Sequence, residues 1–169
     1  GFTPLEGLVM GTRSGDIDPA IVFFLMDKLG MDSAEANNYF NKKSGMLGLS
    51  GVSNDLRDVE EAAKAGNSRA QTALDVYYNA VKGYIGNYFA KLNGCDCLVF
   101  TAGVGENGID IRRHICEDLE ALGIKMDPEK NKVRGKAVDV ATDDSKVRIF
   151  IIPTNEELVI ARDTYRLAK

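Results

Sequence analysis

Three stretches of this sequence carry residue types suited to handling a phosphate group. Gly103-x-Gly105-x-x-Gly108 follows an apolar run, 97–101, and precedes an amphipathic segment, 109–122. Glycines at the mouth of a helix let backbone N–H groups approach an anion, and the helix N-terminus favours its charge. The spacing also fits a dinucleotide fingerprint, but a clear βαβ context is lacking, and a plain strand-to-helix turn explains the same glycines. The second stretch is Met10-Gly-Thr-Arg-Ser-Gly-Asp-Ile-Asp-Pro19. Arg13 lies there between Gly11 and Gly15. A guanidinium can grip phosphoryl oxygens with two parallel hydrogen bonds and neutralise charge that develops during transfer. A surface arginine in a helix-leading loop is the alternative. In the third stretch, Thr154-x-x-Glu157 has the form of a capping box, which gives Glu157 a structural task. Glu156 then remains either as an acid favoured by the helix dipole or as a carboxylate linked to Mg²⁺.

The elements that must position these residues can be read from periodicity. Residues 1–17 read as loop with short extended pieces. Asp18 and Pro19 suit the cap and first position of a helix carrying Ile21, Phe24, Leu25 and Leu29, closed by Gly30. A second short helix is expected over 33–43, a glycine-punctuated connector over 47–52, and a short acidic helix after Asp55. A long helix from Asn67 or Ser68 to about Leu92 should carry one apolar stripe through Ala73, Tyr77, Ala80, Val81, Tyr84, Ile85, Tyr88 and Leu92. Two buried strands are expected, at 97–101 and 147–152, each running directly into a helix. The first of those helices should span 109–122, with Ile111, Ile115, Leu119 and Leu122 on one face. A short edge strand over 124–126 and a half-buried strand over 136–141 complete the set. Strands that alternate with helices indicate a layered α/β fold, whose ligands bind beyond the carboxyl ends of the strands.

Composition narrows the function. The 169 residues are 44% hydrophobic and 27% charged, which is globular and suits one ordinary domain. With 21 basic and 25 acidic residues the net charge is −4, so nucleic acid is not the expected partner. No apolar run approaches the roughly 20 residues that span a bilayer, and no leader pattern indicates secretion. Three cysteines, Cys95, Cys97 and Cys116, are an odd number and suggest a reduced, cytoplasmic setting rather than a disulfide scaffold. They are expected to be small buried residues, since His114, expected to face solvent, is the one histidine and a zinc site lacks ligands. The chain opens at Gly1 without methionine and with functional-looking residues almost at once, so it reads as a protein entered in the middle.

Five motifs together resemble the acetate kinase (acetokinase) family, in its order and approximate spacing. They are Gly1-Phe-Thr-Pro-Leu-Glu-Gly7, the Met10–Pro19 stretch, Ser53-Asn-Asp-Leu-Arg-Asp58, Phe100-Thr-Ala-Gly-Val-Gly-Glu-Asn107 and Pro153-Thr-Asn-Glu-Glu157. The resemblance implies that residues 1–169 are the C-terminal nucleotide-binding domain of such an enzyme. Its fold would be the actin-like ATPase, ribonuclease H-like domain of the sugar kinase–Hsp70–actin superfamily, lacking its leading strands. The implied reaction is reversible phosphoryl transfer from ATP to acetate, giving acetyl phosphate and ADP, with Mg²⁺. By resemblance Arg13 is the catalytic arginine at the transferring phosphoryl group and Glu156 the carboxylate that organises Mg²⁺. Asp55, Leu56 and Arg57 match the segment around the adenosine, and Gly103, Val104 and Asn107 the loop enclosing the rest of that pocket. Pro4 matches a residue lining the pocket for the acetate methyl. Leu56 stands where an aromatic residue can occur in relatives.

The same resemblance implies a homodimer formed through this half. It also places the family's catalytic aspartate and histidine, a second active-site arginine and an asparagine near the metal outside these residues. The chain alone is therefore expected to have negligible kinase activity. Alternative readings are a propionate or butyrate kinase, and a nucleotide-binding or interaction module without catalysis. Beside the adenosine segment, the glycine stretch reads as a wall of an adenosine pocket rather than a dinucleotide cradle.

Overall fold

The computed structural model describes residues 1–168. The chain divides into two compact units, Gly1–Tyr84 and a second that starts at Ile85. The boundary falls inside a helix, so no linker marks it in the sequence. Among the described residues no helix is long and apolar enough to cross a membrane.

The first unit opens with an irregular stretch, 1–19, and continues as α1 (Ala20–Leu29), α2 (Ser33–Lys42), α3 (Gly45–Ser50), α4 (Leu56–Lys64) and the first part of α5 (Ser68–Leu92). Local chemistry sets the helix ends. The Asp18 carboxylate accepts the Ala20 N–H at 2.9 Å, and Gly30 closes α1 in the left-handed region at φ 66°. Asp32 and Glu35 form a reciprocal capping box on α2, and Asn67 accepts the Ala70 N–H at the start of α5. Met46 and Val59 are fully buried, and Phe40, Ala70, Ala73, Leu74 and Tyr78 are buried as well. The stripe expected along α5 is buried only in its first part. Tyr88 and Leu92 are 56% and 68% exposed, because no described element covers the later turns.

Residues 47–52 are not a connector. They lie largely in α3, whose start is bonded to the loop that carries Arg13. The N–H groups of Ser44, Met46 and Leu47 donate to the carbonyls of Thr12, Met10 and Gly11 at 3.1, 2.8 and 2.9 Å. At its other end, Arg69 donates to the carbonyls of Gly48 and Leu49 at 2.7 and 2.8 Å. Periodicity could not show this helix, since its carbonyls and N–H groups find partners distant in sequence. The opening loop is also held by Asp16. Its carboxylate accepts the Gly7 N–H at 2.8 Å and the hydroxyl of Tyr84, far beyond the turn-and-cap role its position suggests.

The second unit is built on a three-stranded sheet of order β1 (Cys97–Phe100), β3 (Arg148–Ile151), β2 (Val138–Asp139). β1 and β3 are parallel, with Phe100 opposite Ile151, and β2 joins β3 antiparallel. Ile149 and Ile151 are fully buried and alternate with half-buried neighbours, so one face of β3 is covered by protein. β1 corrects the expectation of a buried strand: it is an edge, and Val99 is 43% exposed. Ile124 and Met126 make single bridges to Val147 and Ala141, and Ile124 is fully buried rather than at an edge. The strand expected over 136–141 shortens to β2, followed by the buried pair Val140 and Ala141.

After β1 the glycine stretch is helical, α6 (Ala102–Asn107), and leads into α7 (Ile109–Cys116). The single helix expected over 109–122 breaks at Asp118, whose φ is 62°, and resumes as a short turn, Glu120–Leu122, that Gly123 ends at φ 79°. The last element is α8 (Glu156–Leu167). The cysteines differ from one another: Cys116 is buried, Cys95 half-buried and Cys97 exposed on the edge strand. His114 does not simply face solvent; it lies 2.9 Å from Glu117 and 2.8 Å from Arg113.

Gly45 is the position where the α3 clasp tolerates no side chain. Its φ is +64°, and an added Cβ would lie 2.2 Å from the Met10 carbonyl oxygen. Gly45→Ala is expected to destabilise the chain by roughly 3 kcal/mol in urea unfolding. A loss below about 1 kcal/mol would show that the clasp yields without cost.

Candidate functional site

In the first unit the structure brings Arg13 and the Asp55–Arg57 segment to neighbouring stretches of backbone. The contact is Gly11, where an added Cβ would stand 2.8 Å from the carbonyl oxygen of Asn54. Arg13 itself is half-buried on a backbone fixed from several sides: its carbonyl accepts the Met10 N–H at 3.1 Å, and the next residue donates to Phe40 at 3.0 Å. Its guanidinium reaches the thioether sulfur of Met10 at 3.8 Å and pairs with no carboxylate among the described residues. A half-buried cation without an acid partner, on a clasped loop, is suited to an anion brought by a ligand.

Asp55 caps α4 by accepting the Arg57 N–H at 2.9 Å, and it also takes the Arg57 guanidinium at 2.5–3.2 Å. Those side-chain and backbone bonds from Arg57 draw its pKa down from 3.8 to about 2, against a smaller effect of desolvation. Arg57 is 83% exposed, so the pair presents a planar cation at the surface with its orientation fixed by the carboxylate. Leu56 is half-buried beside it. Pro4 lies exposed in the turn where the Glu6 N–H approaches the Thr3 carbonyl at 3.4 Å. An open cavity of about 610 Å³, lined by Val9, Leu25, Tyr39, Phe40 and Tyr84 among others, includes none of these residues.

In the second unit the segments after β1 and β3 leave the same end of the sheet, because the strands are parallel and in register. Gly103, Val104 and Asn107 lie on α6 and are all exposed. Asn107 donates from its side chain to the Gly103 carbonyl at 3.0 Å, which closes the short helix on itself. The three glycines differ in purpose. A Cβ at Gly105 would press on the backbone of Phe100 at 3.1 Å, and one at Gly108 on the Val104 carbonyl at 2.7 Å. At Gly103 a Cβ would meet no atom within 4 Å, so packing does not require that glycine.

Glu156 stands exposed in the first turn of α8, and its carboxylate has no hydrogen bond or ion pair among the described residues. The capping box expected from Thr154 and Glu157 is not formed. Asn155 is the cap, accepting the Leu158 N–H at 3.0 Å, while Thr154 turns both its donors to Glu106 at 2.7 and 2.9 Å. The Thr154 hydroxyl thus donates in a charge-assisted bond to the Glu106 carboxylate, and the helix N–H takes the Asn155 side-chain oxygen as its acceptor. No group of three or more His, Cys, Asp or Glu suited to a metal ion occurs among the described residues. One unengaged carboxylate still fits Mg²⁺, which keeps several waters and takes its other ligands from nucleotide phosphates.

Two side chains that the motifs did not single out organise this unit. Glu106 is one; its carboxyl is held below the usual range by the Thr154 N–H and hydroxyl, and to a lesser degree by the Ala102 N–H. Arg112 is the other, and it is fully buried. It donates to the Asn131 side chain at 2.8 Å and to the carbonyls of Gly105, Asn131 and Val133 at 2.8, 2.9 and 2.8 Å. An arginine three residues past the start of an amphipathic helix gives no sign of burial, since its acceptors lie up to 21 residues away.

The Asp55 pair predicts an acid-dependent term in stability. A carboxyl whose folded pKa lies below its unfolded value stabilises the fold above the unfolded value, and that contribution is lost as pH falls. Relative to Asp55→Asn, the wild-type chain should lose its advantage between about pH 4 and pH 2, as measured by urea unfolding across that range. A difference that stays constant with pH would contradict the assigned partner.

The acetokinase family matches residues 1–162. The acetate kinase of Syntrophomonas wolfei subsp. wolfei is 85% identical over all of this chain, which covers 43% of that protein. Among solved structures, the Porphyromonas gingivalis acetate kinase superposes with a TM-score of 0.94 at 48% identity, over 100% of this chain and 43% of its own. A propionate kinase from Francisella tularensis subsp. tularensis superposes with a TM-score of 0.88 at 43% identity, over 95% of this chain and 41% of its own. The chain thus spans less than half the length of the relatives it matches, and its α/β fold is the one found in the corresponding part of acetate kinases. On the match over residues 1–162, the chain belongs to the acetokinase family.

Proposed function

We propose that residues 1–169 form the C-terminal nucleotide-binding domain of an enzyme that transfers the γ-phosphoryl group of ATP to acetate. A carboxylate oxygen of acetate forms the new bond to phosphorus, the bond from phosphorus to the β,γ-bridging oxygen breaks, and ADP departs with that oxygen. The observation that carries this reading is Arg13, a half-buried guanidinium held on a clasped loop and without a carboxylate partner among the described residues. Placed on the equatorial oxygens of the transferring group, it neutralises charge that grows in the transition state.

Asp55, Leu56 and Arg57 are assigned to the adenosine, with the Arg57 plane available for stacking on a base. Gly103, Val104 and Asn107 are assigned to nucleotide binding, supported by a Gly103 that packing leaves unexplained. Glu156 would hold Mg²⁺, whose contribution when bound is to offset the negative charge of the phosphates. Pro4 is assigned to the acetate methyl. A homodimer in a cytoplasmic setting belongs to the same reading. The remaining catalytic groups are assigned to sequence that the relatives have and this stretch does not, so the chain alone should turn over negligibly.

The propionate kinase neighbour supplies a second reading, a three-carbon acid as acceptor. The ratio of kcat/KM for acetate and propionate separates the two.

The test is a coupled assay of acetyl phosphate formation by this chain mixed with the N-terminal portion of the Syntrophomonas relative. Activity is expected only in the mixture, and Arg13→Ala should lower its kcat about 1,000-fold with little change in KM for ATP. Turnover by the chain alone, or a kcat indifferent to Arg13, would refute the assignment. Light scattering at micromolar concentration should return twice the chain mass, whereas a monomer would remove the dimer from the reading.

A further inference from the structure

The last ladder bond between β1 and β3 is donated by the Ile152 N–H to the Phe100 carbonyl at 2.9 Å. Beyond it the two chains would be free to part. Pro153 has no N–H to donate, so the next donor on the β3 side is Thr154. Its N–H and its hydroxyl both go to one carboxylate oxygen of Glu106, 48 residues earlier, on the segment leaving β1. The Glu106 carbonyl in turn accepts the Gly135 N–H at 3.3 Å. One residue therefore ties three segments together at the end of the sheet.

Ordinary capping does not account for this arrangement. Asn155 already satisfies an N–H of α8, and Thr154 lies outside that helix. The segment being held is also strained. Ala102 occupies the left-handed region at φ 57°, a conformation that non-glycine residues keep only where the surroundings enforce it. Gly105 lets α6 lie directly on the Phe100 backbone, so the short helix has little freedom to absorb a displacement.

We infer that Glu106 is a positioning residue, whose carboxylate clamps the β1–α6 segment to the start of α8 and so fixes the spacing of Gly103, Val104 and Asn107 from Glu156. The clamp rests on the nucleotide reading only for what that spacing serves. Without it, the two segments would move independently, and a ligand touching both would have to fix their spacing on binding.

Amide hydrogen exchange on the 169-residue chain tests the clamp directly, in the absence of nucleotide. Glu106→Ala should raise exchange about tenfold or more in residues 102–107 and 154–158 together. Glu106→Gln keeps a carbonyl oxygen for Thr154 and should recover most of the protection. Adding Thr154→Val to Glu106→Ala should add little, since both act on one interaction. If Glu106→Ala does not fold, Glu106→Gln and Thr154→Val, singly and combined, carry the same comparison. Loosening confined to residues 102–107, or equal effects of Ala and Gln, would overturn the clamp.

Calorimetric titration with ADP and Mg²⁺ gives a readout that a purely structural bond would not move. Glu106→Ala should weaken binding about tenfold and Glu106→Gln by no more than about threefold. Equal affinity of wild type and Glu106→Ala would overturn the positioning role. A wild-type chain that does not bind ADP–Mg²⁺ would count against the nucleotide reading, while the exchange comparison would still decide the clamp.

Discussion

The in-register parallel pairing of β1 and β3 is the constraint on which the second unit depends. Because Phe100 lies opposite Ile151, both chains leave the sheet at the same end. Two segments distant in sequence thereby acquire a common location, one carrying Gly103, Val104 and Asn107 and the other Glu156. Antiparallel pairing of the same strands would have sent them to opposite ends. Parallel strands give up the tight hairpin and need a long crossover, here the 47 residues 101–147 between the end of β1 and the start of β3, which include α6, α7 and the loops around β2. Those intervening residues supply Arg112 and Asn131, whose hydrogen bonds hold the crossover together from inside.

Arginines show how one residue type is used in opposite ways. Arg112 is fully buried and finds only neutral acceptors: three carbonyls and an amide oxygen. Burial and the nearby Arg134 both work against its charge, and the carbonyl dipoles offset part of that cost. It rigidifies the backbone at Gly105. Arg69 similarly serves the carbonyls of α3, and Arg148 pairs with Asp139 at 2.5 Å beside the sheet. Arg13 contrasts with all three: its backbone is engaged, while its guanidinium reaches the Met10 sulfur at 3.8 Å and bonds neither a carbonyl nor a carboxylate among the described residues. That contrast, rather than the presence of an arginine between glycines, is what recommends it for anion binding.

Backbone close approach is the other recurring device. Gly45, Gly11 and Gly105 each sit where a Cβ would intrude on another segment's backbone, at 2.2, 2.8 and 3.1 Å. The first two bring the Arg13 loop against α3 and Asn54, and the third lays α6 on the end of β1. Substituting any of them displaces a candidate functional side chain without touching it. The glycine stretch that resembles a phosphate-binding fingerprint thus includes two residues required for packing, Gly105 and Gly108, and one, Gly103, that is not.

Local sequence was sufficient for most of the helices, the two main strands and the family. Caps at Asp18, Asp55, Asn67 and Gly30 act over a few residues, and so does the apolar periodicity between them, so both are legible in one dimension. The five motifs were likewise enough to identify the acetokinase family. Tertiary structure decided what depends on partners far along the chain. It turned the 47–52 connector into a helix bonded to the Arg13 loop, exposed the edge strand β1 and the later turns of α5, and moved the α8 cap from Thr154 to Asn155. It also revealed Glu106 and Arg112, whose partners lie up to 48 residues away. A hydrogen bond of that kind leaves no periodic trace, because its energy depends on where folding brings two segments together and not on their spacing in the sequence.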